Sequence, residues 1–423
     1  MNEYTTFGLP EDLPSTPTPS GANSASIIKV IGVGGGGGNA VANMYREQIQ
    51  GVRFLVANTD AKALEDSPVP EKLQIGPGLG AGGRPEMGQA LAEQHLQDIK
   101  DGLGDETKMV FVTAGMGGGT GTGAGPIIAR EAMEKGILTI AIVTIPFAFD
   151  MKRQIDKALD GVERMAEHVD ALLVVNNERL RQVHSDLSVL NAFRKADETL
   201  TKAVRSIVEI INMRGTMNLD FNDVDTCLRG GGVAVMSTGY GDGNNRVEKD
   251  INDALNSPLL NDKEVQHSRK LCIAFFFPPD SSPHTLKIEE MNQIEEFMKG
   301  FNVNVETKWG YAEDEALTDE VKVTILASGF KLDSHENELK AELPLTPEQL
   351  ERERQRDERR DKAYGNTQKR VRYNRIYIFE PEDLDNDELI ANVDAIPVYK
   401  RTDNDLRNLR NISSQATPLE VIL

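Results

Sequence analysis

Two kinds of segment alternate along the first half of the chain. Short, continuous apolar runs at 26–33, 53–57, 109–113, 137–144 and 171–175 read as strands. Between them, stretches at 39–45, 89–100, 126–135 and 151–168 carry helical spacing. Runs that are apolar throughout, rather than alternating, belong to strands covered on both faces, which is the mark of a parallel sheet between helical layers. The pattern predicts an α/β protein with a Rossmann-like, doubly wound parallel sheet. Ligands bind such sheets at the carboxyl ends of the strands. Glycine-rich loops at 34–38, 75–88 and 115–123 all fall at that edge.

Beyond the sheet comes a long helical stretch, 190–213, about 36 Å at 1.5 Å per residue. Ala192, Ala196, Leu200, Val204, Ile207, Val208 and Ile211 keep to one of its faces, and Arg214-Gly215 ends it. It reads as a spine between domains. Strands at 233–237, 271–277, 303–307 and 321–327, with helices at 246–255 and 285–299, then predict a smaller α/β domain without a phosphate loop. Residues 331–370 hold ten acidic and ten basic side chains and few apolar ones, a solvated spacer whose Thr346-Pro-Glu-Gln349 is a capping-box start. The termini, 1–26 and the tail from 371, are too polar to pack and are expected to be disordered.

Composition narrows the class. A net charge of −20 argues against a nucleic-acid binder, which needs a basic face. Cys227 and Cys272 lack CxxC spacing, as in a reducing cytoplasm. The N-terminus has no signal-peptide pattern, and no apolar run approaches a membrane span. The six histidines are scattered, so no metal site built by the protein alone is expected.

The chemistry concentrates in Met109–Pro126, M-V-F-V-T-A-G-M-G-G-G-T-G-T-G-A-G-P. Gly115, Gly117, Gly118, Gly119, Gly121 and Gly123 leave backbone amides uncovered just before a helix N-terminus, where an anion is favoured. Thr120 and Thr122 add hydroxyls. This reads as a phosphate cradle rather than a flexible glycine linker, since linkers rarely sit between an apolar strand and a helical run. Gly32, Gly34 and Gly37 also satisfy G-x-G-x-x-G, with Asp60 about twenty residues on, as in a dinucleotide fold. Against a dinucleotide stand the five consecutive glycines Gly34 to Gly38 and the second loop, since two facing amide loops suit one di- or triphosphate. No P-loop motif occurs. The loop at 75–88 reads equally as a third phosphate-side loop or a surface turn. Asp220 and Asp223 have the spacing of ordinary helix-start acids.

G-G-G-G-G-N-A at 34–40, N-T-D at 58–60, A-G-M-G-G-G-T-G-T-G at 114–123 and M-N-L-D-F-N-D-V at 217–224 are together similar to the signatures of FtsZ, a family of tubulin-like cell-division GTPases. The resemblance covers 27–330. It implies a GTP-binding domain (27–189), a central helix (190–214) and a C-terminal GTPase-activating domain (215–330), followed by the 331–370 linker and a 371–423 tail. It implies GTP and GDP as ligands, with Mg²⁺ arriving on the nucleotide. Gly35, Gly36, Gly37, Gly38, Asn39, Gly119, Thr120 and Gly121 match its phosphate-contacting positions, and Gly34, Asn58, Ala114, Gly115, Gly117, Gly118 and Thr122 count with them as nucleotide-binding. Asp150, Arg153, Gln154, Asn177, Phe193 and Glu198 match its sugar- and base-side positions. Asn218, Asp220 and Asp223 match residues that complete the site of the next subunit in a head-to-tail homopolymer, which overrides the helix-start reading. It further implies GTP hydrolysis activated by assembly, in a cytoplasmic ring at the mid-cell division site.

Some positions depart from the family pattern. Asp150 stands where a ribose-contacting Glu is usual, Gln154 replaces an Arg with Arg153 adjacent, and Asp197-Glu198 replaces Asn-Asp. Asp-Ala-Ile-Pro-Val-Tyr-Lys-Arg at 394–401 resembles the family's C-terminal peptide, which implies docking of Ile396, Pro397 and Tyr399 on an FtsA-like membrane anchor or other division proteins. A nicotinamide-dependent oxidoreductase and a non-hydrolysing scaffold are the competing readings.

Overall fold

The computed structural model describes residues 26–183, 188–212, 215, 217–255, 268–299 and 305–330, with Arg359, Ile390, Asn392 and Val393. Six strands, β1 (Ile28–Val33), β2 (Arg53–Asn58), β3 (Glu71–Gln74), β4 (Met109–Gly115), β5 (Leu138–Ile145) and β6 (Ala171–Asn176), pair in parallel in the order β3-β2-β1-β4-β5-β6. The remaining strands, β7 (Gly232–Gly241), β8 (Lys270–Phe277), β9 (Glu306–Glu313) and β10 (Val321–Phe330), continue the same ten-stranded sheet in the order β7-β10-β8-β9. The antiparallel strand β10 lies between β7 and β8, while β8 and β9 are parallel. Among the described residues, β6 and β7 pair in parallel through Ala171–Gly232 and Leu172–Val233, where the two halves of the sheet meet.

The strands are apolar throughout because both faces are covered. Ile28 and Val30 of β1 enter one core, whereas Ile31 and Val33 enter the other. The first core packs under α1 (Gly34–Arg46), α8 (Val189–Asn212) and α9 (Phe221–Leu228). The second packs under α3 (Pro85–Gln94), α4 (Leu96–Leu103), α5 (Thr120–Glu134) and α6 (Lys152–Ala166). A third joins α10 (Arg246–Leu255) and α11 (Ile288–Lys299) to β8 and β10. Short helices α2 (Ala61–Glu65) and α7 (Asn177–Val183) follow β2 and β6.

Several elements differ from the sequence expectation. Helix α1 starts at Gly34 rather than Asn39, so the glycine run is a helical turn instead of a loop, and α5 starts at Thr120. The helix expected over 89–100 is two helices broken at His95, whose ring contacts Leu91 O and Gly76 N. Strand β9 lies later than 303–307, because its pairing with β8 extends through Phe277–Glu313. Strand β3 and helices α2 and α7 went unanticipated. The expected disorder at 1–25, the spacer helix and the tail peptide lie outside the described residues, apart from single positions.

Pro126 sits inside α5 and leaves the Thr122 carbonyl without its helical amide. Arg164 of α6 donates to that oxygen at 3.4 Å.

Candidate functional site

Strand order reverses between β1 and β4, where Val33 pairs with Ala114. This topological switch point lies between the starts of α1 and α5. Neither helix has a side-chain N-cap, at Val33 or at Gly119. The first-turn amides, which no helix bonds internally, therefore lack a capping side chain as well, the arrangement that suits an anion. The two backbones touch: a Cβ on Gly36 would stand 3.2 Å from Gly115 Cα, and one on Gly34 would stand 2.9 Å from Gly121 N. By contrast, Gly35, Gly38 and Gly118 face open space, leaving room for a ligand between the two turns.

Surrounding groups brace the cradle. Thr59 and Thr120 hydroxyls meet at 2.6 Å, and Gly117 N donates to Thr122 Oγ1 at 2.9 Å. Thr122 is fully buried, so its hydroxyl holds the loop and presents no donor outward, contrary to the sequence expectation. The ambiguous 75–88 loop belongs to this side, since a Cβ on Gly119 would stand 2.8 Å from Ala81 Cβ and 2.9 Å from Arg84 N. Asn58 is buried and its Oδ1 accepts from Asp60 N. Asp60 in turn caps α2, its Oδ1 accepting from Lys62 N at 3.0 Å and Ala63 N at 3.3 Å.

Along the same edge, Phe147 stacks on Phe149 with centroids 4.9 Å apart, and Phe193 of α8 meets Phe147 edge-on at 5.1 Å. Asp150 Oδ2 accepts from Phe147 N at 3.0 Å, and burial lifts its carboxyl above the ordinary range. Arg153 and Gln154 are exposed at the start of α6. Asn177 is 6% exposed and its Oδ1 has no hydrogen-bond partner. A buried acceptor of that kind costs about 1–3 kcal/mol when unmade, so it is a position that a ligand donor would satisfy.

A cleft of about 320 Å³ separates α1 from α8 and is lined by Asn39, Asn43, Arg46, Arg194, Asp197 and Glu198, among others. Glu198 pairs with Lys195 at 3.1 Å. Burial raises Asp197 to about 6. Asn43 was not among the sequence candidates, and Asp197 entered there only as a departure from the family pattern. The signal was present, because Asn43 lies four residues after Asn39 on the same helical face.

The 217–223 segment is built differently. Asp220 caps α9, its Oδ1 accepting from Asn222 N at 2.8 Å and Asp223 N at 3.0 Å. Asp223 Oδ2 accepts from Asp220 N at 3.1 Å and completes a capping box. Asn218 Oδ1 accepts from Gly215 N at 2.6 Å. The helix-start reading of the two acids is thus geometrically correct. Just past α9, Arg229 pairs with Asp225, and Gly230 N and Gly232 N donate to Asp170, which directly precedes β6. At the end of α8, Asn212 packs against Gly51, just ahead of β2. Both contacts lie at the amino ends of the parallel strands. The 24-residue helix α8, about 36 Å long, therefore separates the glycine turns from Asp220 and Asp223 of the same chain.

Two uncapped glycine turns at the switch point, an α8 cleft and this sheet order define a protein of the tubulin-like GTPase fold. Residues 27–185 match the Tubulin/FtsZ family GTPase domain, 232–331 the FtsZ family C-terminal domain, and 371–416 the FtsZ C-terminal segment. The cell division protein FtsZ of Porphyromonas gingivalis is 46% identical over 404 residues, 91% of this chain and 88% of that protein. That of Pseudomonas aeruginosa is 42% identical over 311 residues, 72% of this chain and 77% of that one. A solved FtsZ dimer from M. jannaschii superposes with a TM-score of 0.65 at 35% identity, over 72% of this chain and 88% of that one. The chain belongs to the FtsZ family of cell division proteins.

Among the described residues no helix is long and apolar enough to cross a membrane, and no group of three or more His, Cys, Asp or Glu is placed to hold a metal ion. Ile396, Pro397 and Tyr399 lie outside the described residues.

Proposed function

We propose that this chain binds GTP at the α1 and α5 turns, stacks head to tail with copies of itself, and hydrolyses the nucleotide between subunits. The open space at Gly35, Gly38 and Gly118, the uncapped first-turn amides and the unpaired Asn177 Oδ1 fit a guanine nucleotide, with its base directed to the cleft of Asn43, Asp197 and Glu198. Mg²⁺, carried in by the nucleotide, would supply charge neutralisation on the phosphates. The chain's own amides hold the phosphates, and Phe193 and Glu198 orient the base.

One observation carries the shared site: the carboxylates of Asp220 and Asp223 and the glycine turns lie at opposite ends of α8. A cradle that lacks a carboxylate holds a leaving group but cannot orient water. A second copy presenting Asn218, Asp220 and Asp223 completes it. Such a heterologous, non-closing contact makes a filament. In this reading 27–189 is the nucleotide domain, 190–214 the spine and 215–330 the activating domain, with 331–370 as the spacer. The tail around Ile396, Pro397 and Tyr399 docks on an anchor protein, which brings the filament to the division site in the cytoplasm.

Phosphate release from GTP with Mg²⁺, measured against protein concentration with light scattering in parallel, tests this. Activity per subunit should switch on above a threshold together with scattering and vanish in Asp223→Ala. Scattering without hydrolysis would make the chain a scaffold. Constant activity per subunit without scattering would overturn the shared site.

A further inference from the structure

Strand β9 serves as a platform for the 217–223 segment. Tyr311 N donates to Met217 O at 3.0 Å, and Met217 and Tyr311 form a bridge. A Cβ on Gly310 would stand 2.4 Å from Met217 O and 3.0 Å from Leu219 Cγ, so the segment lies directly on the strand. Lys308 precedes Gly310 by two residues and therefore shares its face of the strand. Trp309 and Tyr311 alternate to the other side and pack on the third core. From that face, Lys308 Nζ reaches Asp223 Oδ1 at 3.2 Å.

We propose that Lys308 is the positioning residue for the Asp223 carboxylate. This rests on the proposed role of Asp223 in the neighbouring subunit's site. Asp223 is held through both oxygens from two separate elements, Oδ2 by the Asp220 amide of its own turn and Oδ1 by the ammonium from β9. Neither contact alone fixes a carboxylate against rotation about its last bond, but the two together do. The half-exposed pair adds little to folding, as surface ion pairs do. Its effect falls on geometry, and a carboxylate misplaced by about 1 Å loses up to about a hundredfold in rate.

The test compares Lys308→Met, Lys308→Arg and Asp223→Ala in the full chain. In nucleotide-free protein, acetylation of the Lys308 amine followed by mass spectrometry should run several-fold faster in Asp223→Ala than in the parent; equal rates would overturn the pairing. GTP turnover per assembled subunit, read well above each variant's scattering threshold, should fall about tenfold in Lys308→Met, with threshold and nucleotide affinity within about twofold of the parent. Lys308→Arg, whose guanidinium reaches the same oxygen, should recover most of the rate. If Lys308→Met turns over like the parent while Asp223→Ala is inactive, the positioning role fails alone. Equal impairment of the Met and Arg variants, or loss of assembly in Lys308→Met, also overturns it. Full turnover in Asp223→Ala removes the underlying reading and this one with it.

Discussion

Gly37 lies directly on the backbone of Thr113: a Cβ there would stand 2.1 Å from the Thr113 carbonyl oxygen. This approach lets α1 cross β4 and brings the two glycine turns together. Gly37→Ala must push α1 off the sheet, and we expect it to destabilise the protein by about 3 kcal/mol and to abolish nucleotide binding. One residue on, Gly38 faces open space, so Gly38→Ala should melt with the parent yet bind GTP more weakly. Thermal denaturation and nucleotide titration of the two variants separate packing from ligand space.

The unpaired Oδ1 of Asn177 makes a second contrast. If a nucleotide donor satisfies it, Asn177→Ala should weaken GTP about tenfold, about 1.4 kcal/mol, while the nucleotide-free protein melts no lower than the parent. Equal affinities by calorimetry would remove Asn177 from the site.

Asp250 in α10 is fully buried, and neither of its carboxylate oxygens makes a hydrogen bond of ordinary geometry, the Ile251 amide beside it being the one weak donor among the described residues. Burial pushes its carboxyl from 3.8 up to about 8, with Asp253 and Glu290 adding to the shift and Arg246 and the Ile251 amide opposing it. Between those values the folded protein keeps a proton that the unfolded chain has released. Stability from this group is therefore full below about pH 4 and lost as pH rises through 8. Asp250→Asn should flatten that decline and stabilise the protein at pH 8 by about 2 kcal/mol, read as denaturant midpoints against pH.

Arg246 is nearly buried at the start of the same helix. It pairs with both oxygens of Glu290, at 2.6 and 2.9 Å, and donates to the carbonyls of His284, Thr285 and Asp319. Removing it leaves the part-buried Glu290 carboxylate with the Lys287 amide, which donates to Oε2 at 2.8 Å, and frees three carbonyls of their donor. We expect Arg246→Ala to cost about 3–5 kcal/mol, and Arg246→Lys to recover little, because an ammonium cannot reproduce the fork. Chemical denaturation of both variants measures this.

Much of the architecture was legible because it is local. Both faces of β1, β4 and β5 are covered, so each reads as an unbroken apolar run. The single-sided burial of α8 shows in its 3.6-residue period. Strand β3 was not legible: Glu71-Lys-Leu-Gln74 is a mostly exposed edge strand with one apolar residue, and only its pairing with β2 makes it a strand. Glycine disfavours helix locally, so the helical turn at Gly34–Gly38 was invisible without Thr113 beneath it.

The sequence by itself determined the glycine signatures, the strand and helix alternation, the Asp220–Asp223 spacing and hence the family, since each is a pattern within a few residues. The tertiary structure alone decided that the 75–88 loop packs against the Gly119 turn, that Thr122 is buried against Gly161, and that Lys308 reaches Asp223. Those outcomes depend on which backbones touch across tens of residues, and contact between distant segments is set by packing, which no local pattern encodes.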